Sequence, residues 1–358
     1  MRLAGFVAPL AVYAAVTLLH LTIPARWVDG YVIDPRTQRP YRYRLNGLVV
    51  VLAIVGLWAL LCSRGSMAWD FFWTTRWEGL AGACVLGLLF TLWVVLPAPR
   101  TGKSLLADLY LGRAQNPQWL GGRVDAKMWL YLVGAAMLGL DLYSFAMHHR
   151  LSFPDDPSPG ITLYVLLFSF FLCEYLFFER VHLYTYDMFA ERVGFKLGWG
   201  CLCFYPHFYA VGLWSVADLP NPHPPATMLA GAAGLFFLGW SLARGANMQK
   251  FAFKRDPGAK FLGRAAVVIT DGERSLLVSG FWGVSRHVNY LGEIFMAIGL
   301  TLALGRPGVW GTWLYPLYYV ALLVPRQIDD DRRCAAKYGP LWKEYCTRVP
   351  YRIVPGIY

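Results

Sequence analysis

Between Cys173 and His207 the chain sets Glu174, Glu179, Arg180, His182, Asp187 and Glu191 among Tyr175, Tyr184, Tyr186 and Tyr205, in and beside an apolar stretch. Ionisable groups in hydrocarbon are expensive and face a cavity or a partner. Low-dielectric surroundings disfavour a carboxyl's charged form, so a proton held there suits general-acid chemistry. Glu174, Tyr175, Glu179 and Asp187 are the candidate proton donors. For each, the alternative is an interhelical hydrogen bond or, for the carboxyls, an ion pair with Arg180. Asp141 and Tyr143 form a smaller candidate of the same kind.

A second group lies in "LLVSGFWGVSRHVNYLGE", Leu276–Glu293, where Arg286, His287, Asn289 and Glu293 gather at the mouth of an apolar segment. Arg286 and His287 there either bind phosphate or cap the helix and pair with Glu293 or the C-terminal carboxylates. Upstream, Lys250 and Lys254 share a helical face at i and i+4, with Arg255 adjacent. Like charges at that spacing cost stability. An anion such as phosphate offsets the cost; the alternative is a positive anchor at the end of a span. Downstream, Arg326, Asp330, Cys334, Tyr338, Trp342 and Tyr345 follow helical spacing and predict one face that mixes charge, thiol and rings. Such a face suits the wall of a cleft for a ligand with both flat rings and charges. No glycine-rich dinucleotide loop, Walker phosphate loop, HExxH or GxSxG occurs, so a nucleotide here is held by side chains, Arg or Lys on phosphates and Tyr or Trp against rings.

The elements that carry these groups are membrane spans. Residues are 57% hydrophobic and 15% charged, which excludes an ordinary soluble domain. Apolar stretches long enough to cross a bilayer are read near 4–23, 45–63, 79–98, 128–147, 161–179, 196–216, 226–243, 289–305 and 308–325. The expected fold is therefore an all-α polytopic membrane protein of about nine transmembrane helices (nine to ten once the family resemblance below is counted), with a cytoplasm-facing cofactor pocket in the C-terminal half. The first stretch lacks a clear cleavage site and reads as a retained helix. Most of the 33 Lys and Arg fall in alternate loops, including 24–44, 99–127 and 244–288, and from 326 onward. This places those loops and the C-terminus in the cytoplasm, of a bacterial inner membrane or an endoplasmic reticulum. The net charge of +11 is thus mostly topology and not a nucleic-acid footprint. The cysteines form no CxxC pair, and no HxxxH or ExxH pattern organises the histidines, so no metal site is expected. Two regions follow: 1–243, transmembrane with the substrate pocket, and 244–358, with the cofactor site, two spans and a cytoplasmic helix.

"SGFWGVSRHVNYLGE" and "DDDRRCAAKYGPLWKEYCTRVPYRIVPGIY" closely resemble the C-terminal blocks of the sterol reductase family, which includes C14-sterol reductases, 7-dehydrocholesterol reductase and the lamin B receptor. "YRYRLNGL", "DLYLGRAQNP", "VDAKMW" and "YTYDMFAERVGF" resemble its earlier elements, so the likeness runs almost end to end. It implies an NADPH-dependent reduction of a sterol carbon-carbon double bond, at C14 in preference to C7 or C24, with the sterol entering from the bilayer. Alkene protonation precedes hydride transfer. Carried over, Lys250 and Lys254 contact phosphates, Leu277 and Trp282 flank the cofactor, and Asn289 and Tyr290 bind it. Arg326, Asp330, Cys334, Tyr338 and Tyr345 complete the site. Lys254 stands where the family usually has Arg, and Phe281 where it has Trp.

Two other classes compete. An isoprenylcysteine-type membrane methyltransferase using S-adenosylmethionine has a similar Arg-His-x-x-Tyr-x-Gly element, but its cofactor has no need of Lys250, Lys254 and Arg255. A sterol-sensing or scaffold protein is the third reading.

Overall fold

The computed structural model describes residues 3–358. The chain divides into two compact units, one up to Pro222 and one spanning His223–Tyr358. The boundary expected at residue 243 falls inside a continuous helix of the second unit, because the apolar span there runs on as an amphipathic helix to Arg255.

The first unit is built on α1 (Leu3–Thr22), α2 (Gly47–Ser63), α3 (Arg76–Val95), α4 (Ala126–Ser152) and α5 (Pro159–Phe177). The most buried of the apolar helices is α4, with Leu130, Leu132, Val133, Ala135, Ala136 and Leu138 almost fully covered. Asp125 starts it, its Oδ1 accepting the backbone N–H of Lys127 and of Met128 at 3.1 Å each. Such a cap contributes about 1 kcal/mol. Helices also leave carbonyls unpaired at their other ends, where cations are favoured, and two arginines answer this. Arg44 donates to the carbonyls of His20 (3.0 Å) and Ile23 (2.7 Å) at the end of α1. Arg113 donates to Val95 (3.2 Å) and Ala98 (2.9 Å) at the end of α3, while its Nε pairs with Asp108 at 2.7 Å, both side chains buried.

The all-α expectation needs a correction: the chain is mostly helical but carries antiparallel two-stranded ribbons. They are β1 (Arg26–Ile33) with β2 (Pro40–Leu45), β3 (Gln118–Trp119) with β4 (Val124–Asp125), and β5 (Val268–Thr270) with β6 (Ser275–Leu277). The first ribbon pairs Val28 with Tyr43 and is irregular between Asp29 and Ile33. The stretch expected to span at 196–216 is not one regular helix. It is broken into Phe195–Trp199, a π-helical turn at Gly200–Phe204, Tyr205–Phe208 and Val211–Val216. Pro206 contributes no N–H to the ladder, and π turns mark a local register change.

The second unit contains α6 (Ala226–Arg255), α7 (Val288–Ala303), α8 (Leu314–Tyr338) and α9 (Pro340–Arg348). Helices α6 and α7 pack backbone to backbone: a Cβ on Gly292 would collide with the carbonyl oxygen of Gly239 and the amide of Ala243. Small residues of this kind let membrane helices approach closely. The stretch expected to span at 308–325 continues without a break into the charged region, forming α8. It ends where Gly339 takes φ +55°, and Pro340 begins α9. The single helical face expected from Arg326 to Tyr345 is therefore split, with Trp342 and Tyr345 on α9.

Among the described residues, α1, α3, α4, α5 and α6 are long and apolar enough to cross a membrane, and α2 and α7 are shorter apolar helices.

Candidate active site

In the second unit, the cofactor candidates converge on Trp282. Its indole N–H donates to the Ala246 carbonyl at 2.8 Å, and the Tyr345 hydroxyl donates to the Trp282 carbonyl oxygen at 3.1 Å. The Lys250 ammonium lies 5.4 Å from its ring centroid, within cation–π range. Gln249, one residue before Lys250, fixes the approach: it accepts the Phe281 N–H at 2.9 Å and donates to the Ser279 carbonyl at 3.1 Å. Despite the split between α8 and α9, Tyr338, Trp342 and Tyr345 pack in one cluster with Ile269 and Leu341, and Cys334 lies against it. Burial first, and Asp330 next, push the Cys334 thiol up to about 12, with Lys250 acting the other way. Lys250, Asp330, Cys334, Tyr338, Tyr345 and Trp282 are thus brought together.

A second focus is Asp331. Its Oδ2 lies 3.7 Å from Arg286 and 3.6 Å from Arg352, and its Oδ1 lies 3.9 Å from His287. Gln327 donates to Oδ2 at 2.7 Å. Burial pushes this carboxyl up, but His287, Arg286 and Arg352 together outweigh it and hold it below the usual carboxylate range. Arg286 also donates to the Cys346 sulfur at 2.8 Å, and the Arg286 and His287 amides donate to the Tyr351 and Arg352 carbonyls at 2.9 and 2.8 Å. Arg286 and His287 thus both face the C-terminal carboxylate run. The His287 ring stacks on Tyr290 with centroids 5.0 Å apart. Asn289 Oδ1 beside them is buried and finds no hydrogen-bond partner among the described residues. Asp331, Gln249 and Cys346 were not among the sequence candidates.

The remaining candidates have the following settings. Leu277 is buried in β6 opposite Val268, while its neighbours Leu276 and Val278 face the aromatic cluster, as strand alternation requires. Lys254 and Arg255 are exposed on the last turn of α6, Arg255 over the Phe251 ring at 5.5 Å. Arg326 is half-buried on α8.

In the first unit, Glu174 is buried in α5. The Tyr175 ring is stacked on His182 with centroids 3.8 Å apart and meets Tyr131 edge-on at 6.2 Å. Glu179 lies past the end of α5, its Oε2 accepting the Gly47 N–H at 3.1 Å where α2 begins. Burial pushes its carboxyl up to about 7, against the pull of that N–H. Asp187 sits on the short turn Tyr186–Phe189, whose carbonyls are bonded by Lys127.

The long apolar helices fit a multi-pass membrane protein; its first unit buries the carboxyls of Glu174 and Glu179, and its second carries a cluster of rings with Lys250 beside it. The chain belongs to the Ergosterol biosynthesis ERG4/ERG24 family, whose profile matches residues 5–358. It is similar to the Delta(14)-sterol reductase of Arabidopsis thaliana, 29% identical over 94% of this chain and 91% of that protein. It is also similar to Delta(14)-sterol reductase erg24 of Schizosaccharomyces pombe, 29% identical over 97% and 83%. The Delta(14)-sterol reductase of Methylotuvimicrobium alcaliphilum is 32% identical over 70% of this chain and 58% of that protein. The match supports sterol double-bond reduction, and the methyltransferase reading is dropped. Three of the elements that carry the resemblance hold structural jobs: Arg44 and Arg113 close helix ends, and Asp125 opens one.

Proposed function

We propose that this protein reduces the C14 double bond of a sterol drawn from the bilayer, by alkene protonation followed by hydride transfer from NADPH. The observation that carries the choice of C14 is the near end-to-end similarity to relatives of that name from a plant and a fission yeast, with a bacterial one over most of the chain.

The residues present fit a nicotinamide dinucleotide. The buried, unpartnered Oδ1 of Asn289 calls for a donor such as a carboxamide N–H, since an unmet buried acceptor costs about 1–3 kcal/mol. Lys250 over Trp282 pairs a cation with a ring face, and Tyr290, Tyr338 and Tyr345 add further rings. Lys254 and Arg255, exposed on the last turn of α6, are the cations we assign to a 2'-phosphate, an assignment that favours NADPH over NADH. Arg286, His287, Arg326, Asp330, Cys334, Leu277 and Trp282 complete the set. When bound, the dinucleotide supplies the hydride.

An alkene does not accept hydride until it is made electrophilic, so this chain must first give it a proton. Among Glu174, Tyr175, Glu179 and Asp187, Glu179 is the donor best supported. Its carboxyl is held near neutrality by burial, and an acid tuned to the working pH transfers protons most effectively. Oε2 takes the Gly47 N–H, which leaves Oε1 to carry the proton. The tertiary cation then formed needs a dry, ring-lined pocket, where aromatic faces contribute roughly 0.5–2 kcal/mol each. The clustering of basic loops supports a cytoplasmic C-terminus and cofactor entry from that side.

The test is direct: purified protein in detergent, NADPH and a panel of sterol alkenes at C14, C7 and C24. Consumption of NADPH with a C14 alkene, giving a product richer by two hydrogens, is expected. Reduction of only another position, or of none, sinks the reading.

A further inference from the structure

Lys127 is fully buried at the second position of α4, a placement that is unfavourable twice over. Burying an ammonium costs several kcal/mol in solvation, and the start of a helix repels positive charge. The geometry shows what offsets this. An ammonium has three N–H donors, and all three are used on one short stretch: Nζ lies 2.7 Å from the Asp187 carbonyl, 3.1 Å from that of Met188 and 2.8 Å from that of Glu191. The Asp187 and Met188 carbonyls belong to the turn Tyr186–Phe189, and that of Glu191 lies just past it. The acceptors are backbone oxygens, so these bonds fix the main chain of the stretch.

Two further contacts brace the same stretch. The Gln115 amide donates to the Phe189 carbonyl, and the Val193 N–H donates to the Ala114 carbonyl at 2.9 Å. Glu191's carboxylate is taken up by Lys196 at 2.6 Å. On the other side, Lys127 cannot shift along α4, because its own N–H is bonded to the capping carboxylate of Asp125, which Gln118 holds at 3.2 Å.

We infer that Lys127 is a positioning residue for the reduction: its ammonium sets the main chain of the 187–191 turn and so the place of the Asp187 carboxyl in the proton-donating cluster. This rests on the sterol-reductase reading and on Asp187 belonging to that cluster. A plain structural clamp would affect stability alone, whereas a positioning residue affects turnover in protein that remains folded.

The experiment compares Lys127→Met, Lys127→Arg, Asp187→Asn and the double variant Lys127→Met/Asp187→Asn in purified, detergent-solubilised protein. Four quantities are read: kcat with a C14 alkene, KM for NADPH, melting temperature, and hydrogen exchange of the 187–193 amides. Expected for Lys127→Met is faster exchange of those amides, KM for NADPH within 2-fold of wild type, and kcat lowered at least 10-fold; the 2-fold and 10-fold limits are roughly the bounds within which a local displacement is separable from lost cofactor binding. Lys127→Arg keeps the charge and recovers part of kcat. The double variant is no slower than Asp187→Asn alone, because both act on one group.

Equal kcat per folded molecule in Lys127→Met overturns the inference, as does a double variant whose losses multiply. Wild-type kcat in Asp187→Asn also overturns it, while leaving the reductase reading intact. Should Lys127→Met not fold, Lys127→Arg carries the same comparison. If the wild type reduces no sterol, the reductase reading fails, and the positioning claim fails with it. Unchanged exchange at 187–193 in Lys127→Met, whatever the activity, shows that Lys127 does not set the turn.

Discussion

Arg286 and Asp331, which lie 45 residues apart in sequence, meet with Nη1 and Oδ2 3.7 Å apart, both side chains largely buried. The pair fixes the segment leading into α7 against α8, and through Arg352 it also takes in the tail. Asp331 is the group on which three cationic or protonatable side chains converge, so removing its charge leaves them facing one another.

Asp331→Asn is therefore expected to lower stability by about 1–3 kcal/mol and to weaken NADPH binding, read by thermal melting and by titration. Its pH dependence has a definite sign. The folded carboxyl is held below its unfolded value of about 3.9, so the contribution is fully present above that value and is lost as pH falls through the folded one. Melting curves from pH 6 to pH 3 should show the gap between wild type and variant closing at the acid end. A gap that widens there would contradict this.

Lys250→Met and Trp282→Phe test the cationic wall. Losing a charge-assisted contact to phosphate costs about 1.5–3 kcal/mol, so KM for NADPH should rise roughly 10-fold or more with little change in kcat. Lys254→Ala with Arg255→Ala should narrow the preference for NADPH over NADH. An equal loss with both cofactors would place these cations elsewhere than at the 2'-phosphate.

Glu179 gives a kinetic signature. If it is the acid, kcat falls as pH rises through about 7, and Glu179→Gln is slower by roughly 100-fold to 10,000-fold with that limb gone. Stability follows the same direction: the folded carboxyl holds its proton up to a higher pH than the unfolded one, so stability declines as pH rises from the ordinary carboxyl value toward 7. A variant with an unchanged pH–rate limb would move the role to Glu174, Tyr175 or Asp187.

Gly292→Ala tests the α6–α7 contact. The added carbon has no room beside the Gly239 carbonyl, and the helices must separate, at an expected cost of about 1–3 kcal/mol. Thermal melting reads this; an unchanged midpoint would mean the two helices do not pack at this distance.

Much of this was legible in the sequence, for reasons particular to each element. Long apolar runs announce α1, α3, α4, α5 and α6 because crossing hydrocarbon demands continuous apolarity. The four-residue steps of Arg326, Asp330, Cys334 and Tyr338 survive because α8 is continuous there. Asp331 was missed: three successive aspartates give no sign of which one faces Arg286 until the chain after Pro350 is seen folded back on residues 285–287. Gly339 breaks the face before Tyr345, yet the rings still cluster, so the pattern pointed to the right residues through the wrong element. The first ribbon was hidden because its irregularity between Asp29 and Ile33 spoils the two-residue alternation. Lys127 read as one more basic loop residue, since nothing in local sequence shows that three distant carbonyls surround it.

The central claim is protonation before hydride, and isotopic labelling tests it most directly. With NADPH deuterated at the transferred position, in ordinary water, the account predicts one deuterium in the product, on the tertiary carbon C14. With ordinary NADPH in heavy water, the deuterium appears on the adjoining carbon C15. Labels in the opposite positions, or cofactor deuterium absent from the product, would contradict the account.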